Sequence, residues 1–224
     1  MLTRTLEAAA LQIRPEAAAN TALGSGALPA IGPRLTFSRD EEIFGEGEPS
    51  DYIYQVLEGV VRTCRFLGDG RRQIEDFHLA GEYFGFETGE DHTCTAEAVG
   101  QVTLLLIRRG TLVDLAARDV AVAGRLLELT MTGLSRAQKH VAMLSRKGAC
   151  ERVAAFLLDF AERSGAMAFV ELPMSRQEIG DYLGLTIETV SRTVTQLEAE
   201  LLISLTDRRR VNLRNRSRLL QYCA

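Results

Sequence analysis

Three polar residues in the segment 183–192, which reads LGLTIETVSR, have side chains that could contact nucleic-acid bases: Glu188, Ser191 and Arg192. An arginine guanidinium binds guanine O6 and N7 through two hydrogen bonds, a carboxylate accepts from cytosine N4, and a serine hydroxyl pairs with several base edges. Glu188 and Arg192 are spaced i, i+4, so both project from one face of a helix. Taken alone, such a pair is more often an ordinary ion pair on a solvated helix, so the surrounding segment must decide.

Two short helices joined by a tight turn are expected to carry these residues. Ser175 can cap the first helix, with Glu178 three residues on completing a capping box, and Gly184 permits the left-handed turn that ends it. Thr186 then caps the second helix. The apolar side of this second helix is expected to consist of Val190, Val194, Leu197 and Leu201. Polar residues at the start of such a second helix enter the DNA major groove, so the segment predicts a helix-turn-helix that reads DNA.

Other residues near these helices are suited to the DNA backbone. Helix N-terminal amides bind phosphates, and Arg176 adds a positive charge beside them. The segment LLISLTDRRRVNLRN indicates a β-hairpin with its turn at residues 207 and 208, a wing that could lie along the backbone. The residues expected on the backbone are Ser175, Arg176, Thr186, Thr189, Arg208 and Arg209.

Positive charge is concentrated near the predicted helix-turn-helix, although the whole chain has a net charge of −4. Residues 1–144 contain 14 Lys and Arg against 20 Asp and Glu, whereas residues 145–224 contain 12 against 10. A run of basic residues is usually a solvated surface. Its position beside the reading helices favours contact with phosphates instead.

The overall composition is that of an ordinary globular protein, with 224 residues, 46% hydrophobic and 25% charged. This length allows one large domain or two smaller ones. No run approaches the roughly 18 apolar residues of a membrane span, and polar residues interrupt any signal-peptide core. The four cysteines, at positions 64, 94, 150 and 223, have no short pair spacing, which favours reduced thiols. We therefore expect a cytoplasmic protein without a membrane partner.

Residues 31–109 show short strand-like runs, among them YIYQVL, VVRTCRFL, RQIEDFHL and VTLLLIRR. Glycine-bearing turn signals lie between these runs, at residues 58–59, 68–70, 80–81 and 100. Short strands at regular spacing with glycine turns predict an antiparallel sandwich or barrel.

Residues 110–145 show a heptad pattern, in which apolar residues recur at 120, 127, 134 and 141. A sustained heptad stripe predicts a coiled-coil helix, here about 35–40 Å long at about 1.5 Å per residue. The alternative is that this face packs on the chain's own β-domain. We predict a parallel homodimer whose interface residues are Val120, Leu127, Met131, Leu134 and Val141. A two-fold dimer places two reading helices about 34 Å apart, one turn of DNA, and so requires a palindromic site.

The segments MSRQEIGDY and LGLTIETVSRTVTQLE together resemble the CRP/FNR superfamily of bacterial transcription regulators. The E-x-x-S-R pattern, here Glu188, Ser191 and Arg192, is similar to the FNR and FixK branches rather than to cyclic-AMP receptor proteins. The resemblance implies that these residues read a half-site of the TTGAT type in an inverted repeat. It also puts Ile187 where an apolar side chain can contact a thymine methyl.

This resemblance extends from about residue 35 to residue 213, and the segment FGEGEPSDYIYQVLEGVVR is similar to the β-roll of cyclic-nucleotide-binding domains. It implies an α+β fold with an antiparallel β-roll, a long dimerisation helix and a winged helix-turn-helix. The expected parts are a flexible arm (1–30), the β-roll (31–109), the dimerisation helix (110–145) and the DNA-binding domain (146–224). The chain resembles FixK-type members best, which implies activation of genes used at low oxygen by contact with RNA polymerase.

The β-roll is expected to bind no cofactor. In relatives that bind cyclic AMP an Arg-Ser pair holds the phosphate, and His92 and Thr93 take its place here, near acidic Glu87. No cysteine precedes Cys64, which disagrees with the N-terminal cluster ligands of oxygen-sensing FNR proteins. Haem would need His78 or His92 together with Cys64 or Cys94. The alternative function is that of a sensor of the same fold whose activity is controlled by a small ligand or by haem.

A redox-active cysteine and an enzymatic activity are two further functions that the sequence bears on. Cys150 is expected near a helix N-terminus with Arg152 close by, an arrangement that favours the thiolate and makes Cys150 a candidate redox residue; the alternative is an inert core position. No G-x-S-x-G, phosphate-loop, H-E-x-x-H or G-x-G-x-x-G signature is present, so we expect no catalytic residues and no enzyme. A cupin-type catalytic β-roll would need a histidine-rich metal cluster, and the three histidines are scattered, so no metal site is expected.

Overall fold

The structure is a computed structural model that describes residues 28, 30–146, 148–166, 168–207 and 209–222. Its strands are β1 (Arg34–Phe37), β2 (Glu42–Phe44), β3 (Tyr52–Glu58), β4 (Val60–Phe66), β5 (Arg72–Leu79), β6 (Tyr83–Phe84), β7 (Thr95–Ala98), β8 (Val102–Arg108), β9 (Phe169–Glu171), β10 (Ile203–Leu205) and β11 (Arg210–Leu213). Its helices are α1 (Arg109–Arg118), α2 (Val120–Arg146), α3 (Ala149–Arg163), α4 (Arg176–Leu183), α5 (Ile187–Ala199) and α6 (Arg216–Tyr222). The arm expected at 1–30 lies almost entirely outside the described residues.

The N-terminal strands form two antiparallel four-stranded sheets that face each other. Their strand orders are β1-β8-β3-β6 and β2-β7-β4-β5, and side chains that alternate inward along each strand fill the space between them. The central inward residues Val56, Val61 and Leu104 have no exposed surface. The antiparallel β-roll expected from the short runs and their glycine turns is confirmed.

The segment expected as one helix over 110–145 is two helices that meet at Asp119. Asp119 has extended backbone angles (φ −130°, ψ 108°), and its carboxylate accepts a hydrogen bond from the Ala121 amide at 2.8 Å. An aspartate in this position caps a new helix, so the chain changes direction before the long helix begins. The long helix α2 has 27 residues, which corresponds to about 40 Å.

The C-terminal part contains the four helices α3 to α6 and a small sheet with the strand order β10-β11-β9, on which α3 and α5 pack. Strands β10 and β11 form the expected hairpin, with the turn between residues 205 and 210. One expected position is wrong: the apolar spacing predicts Leu201 on the buried side of α5, but the helix ends at Ala199 and Leu201 is 65% exposed with φ +58°. The left-handed backbone at this residue turns the chain away, so that Leu202 is buried instead.

The C-terminal part and the β-roll share one continuous apolar core. Phe77 on β5 lies with its ring 5.4 Å from that of Tyr182 on α4 and 6.2 Å from that of Phe156 on α3. Ile74 and Leu79, also on β5, belong to the same buried cluster. Helix α4 is therefore held against β5, and the helix-turn-helix is not a separate body hanging on a linker. None of the described helices is long and apolar enough to cross a membrane.

Candidate DNA-binding surface

The first reading helix, α4, begins as the sequence indicates. The Ser175 hydroxyl accepts from the Glu178 amide at 3.2 Å, and Glu178 Oε2 accepts from the Ser175 amide at 2.6 Å. This reciprocal pair is a capping box and satisfies two amides that a helix start leaves without partners. The helix ends at Gly184 in the left-handed region, with φ 62° and ψ 40°.

A second glycine, Gly180, closes the turn, and the local motifs alone do not reveal its role. A Cβ on Gly180 would lie 2.6 Å from the Leu185 carbonyl oxygen, a distance that no side chain tolerates. The Leu185 amide in turn donates to the Gly180 carbonyl at 3.0 Å. Gly180 therefore lets the start of the second helix approach the first, and its place in the middle of α4 was the available signal.

Helix α5 separates an apolar side from a polar one. The Thr186 hydroxyl caps it by accepting from the Thr189 amide at 3.2 Å, and Val190, Val194 and Leu197 are buried beneath it. The opposite side carries the four residues expected to read bases, all of them exposed: Ile187, Glu188, Ser191 and Arg192. The apolar anchoring of one side therefore leaves these four side chains facing solvent together.

Glu188 carries a negative charge on this surface. Hydrogen bonds from its own amide and from the Thr186 hydroxyl lower the pKa of the Glu188 carboxyl, and the charge of Arg192 lowers it further. An ionised carboxylate is an acceptor only, which is the form that can accept a hydrogen bond from cytosine N4.

The residues expected on the DNA backbone lie around the same surface. Ser175 and Thr186 are exposed, whereas Thr189 is half-buried. Arg176 is half-buried as well, and burial lowers the pKa of its guanidinium. These four residues stand at the N-terminal ends of α4 and α5, where helix amides favour an anion.

The turn of the wing is held by one carboxylate. Asp207 Oδ1 accepts from the amides of Arg209 and Arg210 at 2.7 and 2.8 Å, and these bonds lower the pKa of Asp207. Arg209 is exposed at this turn. Arg208, the other wing residue expected on the backbone, lies outside the described residues.

The predicted dimer stripe lies on the outer face of α2. Its members Val120, Leu127, Met131, Leu134 and Val141 are 88%, 63%, 58%, 51% and 66% exposed. The chain's own β-roll does not cover this stripe, although packing there was the alternative explanation of the pattern. Helix α2 instead turns Val122 and Met143 inward. An apolar face of this length that none of the described residues covers is typical of an interface with another chain.

The interior of the β-roll does not fit a cyclic phosphate at the residues expected to hold one. The His92 ring stacks on Phe44 at 3.5 Å, and its Nδ1 lies 3.1 Å from Glu87 Oε1. Both His92 and the Glu87 side chain are almost fully buried. A phosphate at this place would meet a buried carboxylate instead of a guanidinium, which is unfavourable for an anion.

The remaining metal and redox candidates are held in different environments. Burial raises the pKa of the Cys64 and Cys94 thiols to about 12, and His78 Nε2 lies 3.1 Å from the Thr63 hydroxyl. Among the described residues no group of three or more His, Cys, Asp or Glu is arranged to hold a metal ion. Cys150 is the second residue of α3, half-buried against the C-terminal core.

Comparison with known proteins places both parts of the chain. Residues 151–222 match the model of the Crp-like helix-turn-helix domain, and residues 34–119 match that of the cyclic nucleotide-binding domain. The nitrogen fixation regulation protein FixK of Azorhizobium caulinodans is 48% identical over 92% of this chain and 85% of its own. The FixK protein of Rhizobium meliloti is 45% identical over 96% and 99%. The solved structure of FixK2 from Bradyrhizobium japonicum is 45% identical, covers 87% of this chain and 98% of its own, and superposes with a TM-score of 0.83.

Proposed function

Because this chain belongs to the CRP/FNR family of transcription regulators, in its FixK-type branch, we propose that it binds a TTGAT-like palindrome as a homodimer and regulates transcription there. The observation that carries this proposal is the surface of α5. Its apolar side is buried, and the four residues suited to base edges stand together on the exposed side. A helix presented in this way fits the major groove.

Each reading residue has a role that follows from its chemistry. Arg192 binds guanine O6 and N7, Glu188 accepts from cytosine N4, and Ser191 pairs with an adjacent base edge. Ile187 packs against a thymine methyl. These contacts supply sequence preference, whereas contacts to phosphate supply position.

The phosphate contacts come from the rim of the same surface. Ser175, Arg176, Thr186 and Thr189 bind backbone oxygens at the two helix starts, and Arg209 does so from the wing, together with Arg208. Neutralised phosphates release counterions, so this part of the affinity falls as salt rises.

Dimerisation follows from the uncovered stripe of α2. When two copies pair through Leu127, Leu134 and their neighbours, the two α5 helices are related by a two-fold axis. Each copy then reads one half-site, and the inverted order of the half-sites mirrors the symmetry of the protein. A single helix reads too few base pairs to select a site on its own.

We propose further that the protein acts in the cytoplasm, raises transcription by contacting RNA polymerase, and needs no cyclic nucleotide, iron–sulfur cluster or haem. The buried His92–Glu87 pair supports the absence of a cyclic nucleotide, because it offers a carboxylate to the phosphate. The branch to which the chain belongs supports the role of an activator. No enzymatic activity is proposed.

Selection of bound sequences from a random duplex pool tests the whole proposal. The full chain is expected to enrich an inverted repeat with TTGAT-like halves, and Arg192→Ala is expected to lose preference at one base pair of each half. The exposed Arg71, on the β4–β5 turn, offers a matched control: Arg71→Ala is expected to enrich the same repeat as the unaltered chain. Enrichment of no sequence at low salt would refute the DNA-reading function, and enrichment of single half-sites would refute the dimer.

A further inference from the structure

One buried arginine connects the β-roll to the helix-turn-helix. Arg62 lies on β4 with a side chain that is only 4% exposed. Its Nε donates to Glu97 at 2.7 Å and its second terminal nitrogen to Asp40 at 2.9 Å, both within the β-roll. Its first terminal nitrogen donates to Glu178 Oε1 at 2.5 Å, across 116 positions of sequence. We call these four residues the Arg62 junction.

Glu178 has a different task on each of its two oxygens. Oε2 accepts from the Ser175 amide and so completes the cap that starts α4. Oε1 accepts from Arg62. The same carboxylate therefore begins the first reading helix and connects that beginning to a strand of the β-roll, and its side chain is only 5% exposed.

A second ion pair acts on the same side of α4. Arg72 on β5 donates through two nitrogens to Asp181 Oδ2, each at 3.1 Å. Glu178 and Asp181 are three positions apart, so they lie on one face of the helix. Apolar packing between β5 and α4 has little directionality, whereas charge-assisted hydrogen bonds to two carboxylates on one face restrict how the helix is rotated.

We propose that Arg62 is a positioning residue for DNA reading. Through Glu178 it sets the direction in which the helix-turn-helix faces relative to the β-roll and to α2. In the dimer this direction decides the distance between the two α5 helices, and therefore the half-site spacing that the protein accepts. The inference rests on the proposed function, and it adds a determinant of spacing that lies outside the DNA-binding domain.

Glu178→Gln is the most informative variant. Glutamine at this position retains the capping box, because its single carbonyl can accept from the Ser175 amide. Its amide group then faces Arg62 as a donor, so the ionic connection is lost. Arg62 keeps Glu97 and Asp40 as partners, and no buried charge is left alone.

The experiment measures binding of full-length protein to palindromes in which base pairs are added or removed between two constant half-sites. The unaltered chain is expected to prefer one spacing sharply. Glu178→Gln is expected to bind this spacing about tenfold more weakly, within the range of coupling energies of ion-pair networks, and to accept neighbouring spacings more evenly. Arg62→Gln is expected to broaden the preference in the same way, and Arg62→Lys to restore part of it.

A matched control separates positioning from stability. Arg65 lies on the same strand, is half-exposed, and pairs with Glu75 inside the β-roll at 2.7 Å. Arg65→Gln is expected to leave the spacing profile unchanged. Urea unfolding of each variant accompanies the binding assay, and if Arg62→Gln does not fold, Glu178→Gln decides the question.

Two outcomes would overturn the inference. Spacing profiles of the folded Glu178→Gln variant that match those of the unaltered chain would show that Arg62 does not position the reading helices. A uniform loss at every spacing, with lower stability, would assign Arg62 a purely structural role. If the unaltered chain binds no palindrome, the proposed function itself fails, and this result is distinct from both others.

Discussion

The imidazole of His140 stacks on the ring of Tyr182 with 4.0 Å between their centroids, and His140 Nε2 lies 2.9 Å from the Tyr182 carbonyl oxygen. His140 belongs to α2 and Tyr182 to α4, so the helix with the dimer stripe directly contacts the first reading helix. Arg152 supports this contact, because its guanidinium donates to the carbonyls of Leu144 on α2 and Leu183 on α4 at 2.8 and 2.9 Å. The stripe and the reading surface are therefore held in a defined relation within one chain.

Removal of the Arg192 side chain should reduce sequence preference rather than general affinity. Arg192→Ala is expected to cost about 1–3 kcal/mol on the selected site, because the two hydrogen bonds to one guanine are lost. Competition titrations with the selected palindrome and with variants at that base pair measure this difference. Equal weakening on all sequences would instead make Arg192 a phosphate contact.

Removal of a wing charge should act equally on all sequences. Arg209→Ala is expected to lower the slope of log K against log salt by about one unit for each protomer, because one phosphate contact is lost. Affinity measured on specific and random duplexes over a series of salt concentrations gives the slope. Arg71→Ala, which removes an exposed arginine from the β-roll, is the matched control and should leave the slope unchanged. An unchanged slope in the Arg209→Ala variant would mean that Arg209 does not contact the DNA.

Charges in the dimer stripe should separate the protomers. Leu127→Glu together with Leu134→Glu is expected to yield a monomer that no longer binds the palindrome, because two carboxylates would be buried against their symmetry mates. Analytical ultracentrifugation measures the mass. Thr132→Glu, an exposed residue on the opposite face of α2, is the control and should remain dimeric. A dimer in the double variant would mean that the chains pair through another surface.

The stability of the protein should fall in acid through Glu82. Burial alone would raise the pKa of this carboxyl, but hydrogen bonds and charge from Arg163, together with the charge of Arg136, outweigh burial and hold the pKa at about 2. Because the folded pKa lies below the ordinary value of 4.5, the stabilisation is complete above pH 4.5 and is lost as the pH falls towards 2. Over this pH window the ionised Glu82 carboxyl contributes roughly 3 kcal/mol to the free energy of unfolding.

Urea unfolding between pH 6 and pH 2 measures this contribution. Glu82→Gln is expected to be less stable than the unaltered chain at pH 6, and the difference should shrink towards pH 2, where the Glu82 carboxyl becomes protonated. Glu58→Gln, which changes an exposed carboxylate at the end of β3, is the control. Parallel pH profiles of the Glu82 variant and the unaltered chain would contradict the assignment.

The described thiols should differ in reactivity. Burial raises the pKa of Cys64 and Cys94 to about 12, so both remain protonated near neutral pH. Cys150 is only half-buried and lies in the first turn of α3, so reagents reach its thiol more easily than the two buried ones. Iodoacetamide is therefore expected to label Cys150 first in the native protein, as followed by peptide mass spectrometry. In urea, where the protein is unfolded, the three thiols are expected to be labelled at similar rates. Similar labelling rates of the three thiols in the native protein would exclude Cys150 as a redox residue.

The local sequence was sufficient to predict the elements of the reading surface. The capping box joins Ser175 and Glu178, which are three positions apart. The left-handed turn depends on the backbone conformation of Gly184 alone. The heptad stripe depends only on helical periodicity, and its exposure on α2 agrees with the pattern. Such features could be predicted because the groups that determine them are neighbours along the chain.

Other features depend on which distant segments meet, and only the tertiary structure decided them. The apolar spacing of α5 extends to Leu201, but the helix ends at Ala199 and the chain buries Leu202 in the shared core instead. The contact of Arg62 with Glu178 leaves no trace in either local segment, since a strand arginine and a capping glutamate are each ordinary residues. Folding brings Arg62 and Glu178 together because β4 pairs with β5, and β5 shares one core with α4. The two buried charges then stabilise each other by pairing.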